Sequence, residues 1–421
     1  MAIPRAQIGL GYGELFRFIG QTISPTTESV AEDKITAFEK AFAQRYGDDY
    51  RGIVCCKARM AFYHLLKAMD LRPHSEIMIS AIHVADFVNI IRLAGHTPVA
   101  IDLQVNGYDI DPNDLKAKLS ERTGLILVTH LSGYPSDMPT ICQIADAHGV
   151  PVVEDCSQAL SATLGDKRIG TFGKAAIFSL SLLKSVCTLN GGMIVTRNEA
   201  LHEKLATQIK PLPAPARLPL IQEAIKNLVL KTLLSRLVFS IGVFPLLKLA
   251  QGGYDRLSSY QKTNKTVILR DRLPDDFMTR FLAPQAILGL SQLDTLEERE
   301  TQRIIAGRAV RASIKRAHET ILPKTIAEDG SGYWLFPLLI DRTTALQREL
   351  ANQGIDSSKL LLSVLSLEEA FSELGFSCPN AENLRRDTLF IPMYADLDGK
   401  DVERIARVVP ELVKNINSQE G

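Results

Sequence analysis

Short, near-continuous apolar runs alternate with segments whose apolar residues recur every three or four positions. The runs GIVCC (52–56), EIMISA (76–81), PVAIDL (98–103), GLILVTH (124–130) and VPVVED (150–155) predict strands buried on both faces. Around and between them, EDKITAFEKAFAQRY (32–46), MAFYHLLKAM (60–69), FVNIIRLAG (87–95), DPNDLKAKLS (111–120) and MPTICQIADAHG (138–149) predict helices. Two of these stop on Gly, and one opens with an Asp-Pro start signal. The alternation predicts an α/β fold with a mostly parallel central sheet and helices on both faces. Ligands of such sheets bind beyond the carboxyl ends of the strands, so residues closing a strand come first as candidates.

The rhythm breaks at about 211–262. PLPAPARLP (211–219) reads as a loop, and 221–250 is strongly apolar, punctuated by Lys226, Lys231, Arg236 and Lys248. Its longest uncharged run, 237–247, is too short for a bilayer span of about 20 residues. Two readings fit: a helical hairpin packed on the body or on a dimer partner, or an interfacial helix making peripheral membrane contact through 221–250. From Ala283 one long helix is predicted, then strands at 333–341 and 388–394 with helices at 344–354 and 399–416. The expected division is a large domain over 1–299, carrying the insertion, and a smaller α+β C-terminal domain over 300–421.

Charge narrows the class. Lys+Arg and Asp+Glu are both 48, and a chain of zero net charge is not a general nucleic-acid binder. The six cysteines (55, 56, 142, 156, 187, 378) form no CxxC pair and read as buried thiols in a reducing compartment. The first residues contain no continuous apolar h-region, so a cytoplasmic protein is expected, and no metal is expected.

The chemistry concentrates in 150–196. Asp155 closes one apolar strand, Gln158 follows it, Ser179 closes another, and Lys184 comes five residues later. A Lys able to form a Schiff base and a carboxylate able to pair with a pyridinium nitrogen are what pyridoxal 5'-phosphate (PLP) requires of a protein. Burial at a strand end would lower the pKa of the Lys184 amine and free it to attack an aldehyde. Glu154 should point to the opposite face from Asp155. Ser179 and Lys57–Ala58–Arg59, at a strand-to-helix junction, could hold a phosphate. His83 and His130 follow strands and could flank a ring. Each residue also has an ordinary role: a Lys reaching solvent, an Asp capping a helix, a His tied into the framework.

The run EDCSQAL…IGTFGKAAIFSLSLLKS…NGGMIVT resembles the DegT/DnrJ/EryC1/StrS family of sugar aminotransferases, with further similarity in ITAFEKAFAQRYG, AGHTPVAIDL and RFLAPQAILGLSQLDTLEERETQR. The resemblance covers about residues 32–205 and 277–415. It implies a fold type I PLP-dependent transferase and a symmetric homodimer. It implies Lys184 as the Schiff-base residue, Asp155 at the pyridine nitrogen, Gln158 beside the cofactor, Ser179 at the phosphate, and Ala58 and Arg59 at the phosphate turn. It also marks departures: Met278 replaces an Asn that reaches the neighbouring subunit's phosphate, His83–Val84 replaces a stacking aromatic, Asn190 replaces the Glu of GEGG, and KLLLSVLSLEEAF (359–371) has no His. The activity implied is amino transfer from an amino acid such as glutamate to a keto-sugar, nucleotide- or lipid-linked. The alternative is a non-catalytic relative serving as a scaffold or docked on a membrane.

Overall fold

The structure is a computed structural model and describes residues 1–24, 27–249, 267–359 and 362–418. A seven-stranded sheet runs in the spatial order 51–55, 192–196, 175–179, 152–155, 123–129, 76–80 and 97–101. Only Gly192–Thr196 runs antiparallel to its neighbours. The expected strands appear to within a residue or two. Their Val, Ile and Leu side chains are buried on both faces by the helices that connect them. Register aligns Thr129 with Asp155 and Asp155 with Ile177, which places Thr129, Asp155 and Ser179 at neighbouring carboxyl ends.

A second core lies in the C-terminal part. Phe336–Leu339, Thr388–Ile391 and Ser358–Lys359 form an antiparallel sheet, covered by the helices Leu296–His318, Thr343–Asn352 and Gly399–Ser418. The chain start joins it: Ile3 bridges Ile355, and the buried Arg5 and Asp356 pair at 2.6 Å. Leu296 belongs to the large core, whereas Ala306, Val310 and Ile314 belong to the small one, so one helix links the two bodies.

Three local differences from the sequence reading have physical causes. The single helix expected from Ala283 is two, Ala283–Leu293 and Leu296–His318. The first packs along Glu28–Ala43, where a Cβ on Gly289 would stand 2.5 Å from Phe38, and the second packs on Gly399–Ser418. Different packing partners impose different axes. A helix at Tyr12–Ile23, absent from the sequence reading, is started by Glu14, whose carboxylate accepts the Gly11 N–H at 2.7 Å. The insertion becomes helical at Arg217, inside the expected loop. Pro219 falls in the first turn, where its missing N–H costs nothing.

The insertion continues as Arg217–Leu233 and Arg236–Leu249, bent by 61°. Its buried face, with Leu220, Ala224, Phe239 and Phe244, packs on Leu15 and Phe18 of the N-terminal helix and on Cys187 and Leu189. Among the described residues no single helix is long and apolar enough to cross a membrane; only this bent pair meets the length and composition together. Residues 250–262 of the insertion and Leu360–Leu361 lie outside the described residues.

Candidate active site

A cavity of about 200 Å³ opens at the carboxyl ends of the central strands. Its wall brings together Ala58, Arg59, His83, Asp155, Gln158, Ser179 and Lys184. His130 does not reach it. That ring is fully buried, with Nδ1 accepting the Ser136 N–H at 3.0 Å and Nε2 lying 3.3 Å from Glu154. Strand alternation turns Glu154 away from Asp155, and its carboxylate accepts the N–H groups of Gly170, Phe172 and Gly173 at 2.7–2.8 Å. This stretch leads into the strand that ends at Ser179.

Asp155 is 4% exposed. Its Oδ1 accepts the Ser157 N–H at 3.0 Å, and its Oδ2 lies 3.4 Å from His83 Nε2. Burial pushes the Asp155 carboxyl up, but His83 and the Ser157 donors outweigh it and hold it below the usual carboxylate range. His83 Nδ1 accepts the Val84 N–H at 2.9 Å, which leaves the ring proton on Nε2. That Nε2 is too poorly aligned with Asp155 to form a hydrogen bond, and it remains a buried polar atom without a partner, as does Thr129 Oγ1. Gln158 accepts the Ser132 N–H at 2.6 Å through its Oε1.

Lys184 stands on a loop whose preceding residue, Leu183, has φ 65°, a left-handed conformation costly for a Leu. Trp334 secures it: the indole N–H donates to the Leu183 carbonyl at 2.9 Å, and Lys184 Nζ sits 3.7 Å over the same ring. The amine keeps some exposure to the cavity but is surrounded by protein. Desolvation lowers its pKa to about 8, against an opposing pull from Asp155. Around one molecule in ten then carries a neutral amine at pH 7, against roughly one in three thousand for an ordinary lysine.

At the other end of the cavity, Ser179 and Ser181 hydroxyls lie 2.9 Å apart, facing the start of the helix Ala58–Ala68. The N–H groups of Ala58 and Arg59 belong to the first turn and have no helical acceptor. Gly192 lets this helix start approach the sheet, since a Cβ there would stand 2.6 Å from Ala58 N and Cα. The Arg59 guanidinium is engaged by Asp86, which also takes Arg270 at 3.1 Å, and Lys57 is engaged by Asp276. Among the described residues, the backbone N–H groups and the two serine hydroxyls are therefore the anion-binding groups at this end that no carboxylate engages. Met278 packs, partly buried, against the large core.

PLP fits these residues: a cradle of N–H and hydroxyl groups for its phosphate, an acceptor in Asp155 for its ring nitrogen, unpartnered buried polar atoms beside the ring position, and a lowered-pKa amine for its aldehyde. Sequence reasoning missed Trp334, Ser181 and Thr129. Ser181 lies two residues beyond Ser179, just past the strand end, and its closeness in sequence to Ser179 could have drawn attention to it. Trp334 arrives from the C-terminal part, and no local pattern announces it.

Fold and site together define a PLP-dependent aminotransferase of fold type I. The chain matches the DegT/DnrJ/EryC1/StrS aminotransferase family over residues 23–211 and 256–410, and it belongs to that family. It is 28% identical over 394 residues to the spore coat polysaccharide biosynthesis protein SpsC of Bacillus subtilis (strain 168), covering 90% of each chain. It is 33% identical to the GDP-perosamine synthase of Caulobacter vibrioides over 171 residues, 41% of this chain and 46% of that protein. Among solved structures it resembles an aminotransferase from Psychrobacter cryohalolentis, with a TM-score of 0.74 at 19% identity, covering 98% of this chain and 100% of that one. Helicobacter pylori PseC, an aminotransferase of pseudoaminic acid biosynthesis, gives 0.71 at 18% identity, covering 99% and 100%.

Proposed function

We propose that this aminotransferase moves an amino group from an amino acid, glutamate being the expected donor, to a keto-sugar carried on a nucleotide or lipid, in the biosynthesis of a surface glycan or secondary metabolite. The observation that carries the catalytic part is the placement of Lys184 and Asp155 on one cavity wall, the amine eased toward neutrality and the carboxyl held ionised. The sugar part is supported by the relatives, among them SpsC over 90% of both chains.

When bound, PLP supplies an aldehyde for an amine to attack and a ring that accepts electrons from the substrate carbon. Lys184 would hold the cofactor through its amine and would move the proton at the donor α-carbon as general acid and base. Asp155, held ionised, would pair with the ring nitrogen and keep it protonated. His83, which lines the same cavity with Nε2 3.4 Å from Asp155, would flank the ring and help to hold that carboxylate ionised. Ser179, Ser181 and the N–H groups of Ala58 and Arg59 would hold the phosphate, and Gln158 would flank the cofactor. Trp334 and the strained Leu183 fix the Lys184 amine toward the cavity. The reading includes a symmetric homodimer.

The test is a screen of amino donors and keto-sugar nucleotides with the PLP-loaded protein. A visible-range absorbance band should bleach on adding the donor and return on adding the acceptor. Lys184→Ala should lack the band, and Asp155→Asn should keep PLP but lose about 100-fold or more in turnover. A wild type without the band would overturn the assignment, as would unchanged turnover in either variant. Light scattering checks the dimer.

A further inference from the structure

The geometry points to a membrane-docking surface on the insertion, one that seats the enzyme on an anionic lipid bilayer. Each arm of the bent pair buries one apolar face in the body and leaves a second apolar stripe outside. On the first arm the exposed stripe is Leu218, Ile225, Val229 and Leu233. On the second it is Leu237, Ile241 and Leu249, with Ile241 73% and Leu249 78% exposed. Spacings of four, seven and eight residues keep each stripe on one side of its arm. The N-terminal helix extends the patch through Tyr12, whose hydroxyl meets Thr232 Oγ1 at 3.1 Å, and Phe16, 63% exposed. A helix apolar on both sides needs a cover, and exposed apolar stripes of this length mark an interaction site.

Charge selects the cover. From Arg217 to Leu249 five basic residues stand against Glu223 as the only acid, in a chain of zero net charge. Arg236 is neutralised by Asp401, with Asp398 at 3.2 Å, and Lys226 pairs with Glu223 at 3.4 Å, which leaves Arg217, Lys231 and Lys248 in excess. Lys226 and Lys248 are exposed beside Ile225 and Leu249. Greasy stripes flanked by lysines suit the boundary between acyl chains and anionic headgroups. A second copy related by a two-fold axis would bring the same positive excess against itself, which disfavours it. The Arg217–Leu233 arm, 17 residues at 1.5 Å each, reaches about 25 Å. That is short of a bilayer core of roughly 30 Å, so with the sharp bend the pair lies on the surface rather than across it. The family match breaks over 212–255, the stretch that carries both arms. Its core also holds Cys187 and Leu189, just after Lys184, so the docked element sits directly behind the catalytic loop.

The test is sedimentation of the PLP-loaded protein with phosphatidylcholine vesicles, with and without phosphatidylglycerol. The wild type should pellet with the anionic vesicles. The double variant Leu237→Asp/Ile241→Asp should partition at least ~10-fold more weakly, because two exposed anchors become anions. Lys226→Glu/Lys248→Glu should lose a similar factor on anionic vesicles alone. Both variants alter exposed side chains and should retain the PLP band and its bleaching by the donor, which separates this inference from the catalytic reading. A wild type left in solution with both vesicle types overturns it, as does equal pelleting by the Asp variant. So does a fall from dimer to monomer mass in the Asp variant without vesicle binding, which would give the face to a second copy.

Discussion

Removing the catalytic lysine should make the cofactor-free protein more stable. In Lys184→Met the side chain keeps its length and its sulfur can rest on the Trp334 ring, while the charge is gone. The lysine's pKa drops from the usual 10.5 to about 8 on folding. At about 1.36 kcal/mol per pH unit this is a cost of roughly 3 kcal/mol for keeping the ammonium in its site. Residual exposure to the cavity trims it to about 2–3 kcal/mol. Below pH 8 the lysine is charged in both native and unfolded chains and the full cost is present. Between pH 8 and 10.5 the native protein has released the proton and the unfolded chain has not, so the cost fades as pH rises. Thermal unfolding of the apoprotein should therefore place Lys184→Met about 2–3 °C above wild type at pH 7. The two melting curves should draw together near pH 10.5. A variant less stable than wild type at pH 7, or a gap that ignores pH, would show that Lys184 is not held in a desolvating site.

Gly192→Ala should raise the dissociation constant for PLP by at least ~10-fold in an absorbance titration, since its Cβ would push back the start of the Ala58–Ala68 helix from 2.6 Å. Glu154→Ala leaves the buried Gly170 N–H and the half-buried Phe172 and Gly173 N–H groups without their acceptor and should lower unfolding free energy by about 2–4 kcal/mol in urea. Glu154→Gln, which retains one oxygen acceptor, should recover part of that loss.

Much of the large domain is legible because its signals are local. Strands such as 152–155 are buried on both faces and read as continuous apolar runs, and the connecting helices carry clear start and stop residues. Asp155, Ser179 and Lys184 are legible for the same reason: they close strands or follow them closely. What escaped depends on distant contacts. The break at Asp294–Thr295 arises because Gly289 must meet Phe38 while the next helix follows Gly399–Ser418. The N-terminal helix contains Gly13 and Gly20 and is held by burial of Leu15 and Phe18 against the insertion, which no window of sequence displays. Arg59 matches a phosphate-binding pattern, but the fold gives its guanidinium to Asp86, nearly thirty positions along the chain.

Trp334 is the chain's only tryptophan, and its ring lies 3.7 Å from the Lys184 amine. All indole emission from this protein therefore originates at the catalytic loop. Loading with PLP should quench it, titrating Lys184 should change its intensity, and any slackening of the loop should shift its colour. The enzyme thus carries an intrinsic optical gauge of its own active site, readable in real time without a label.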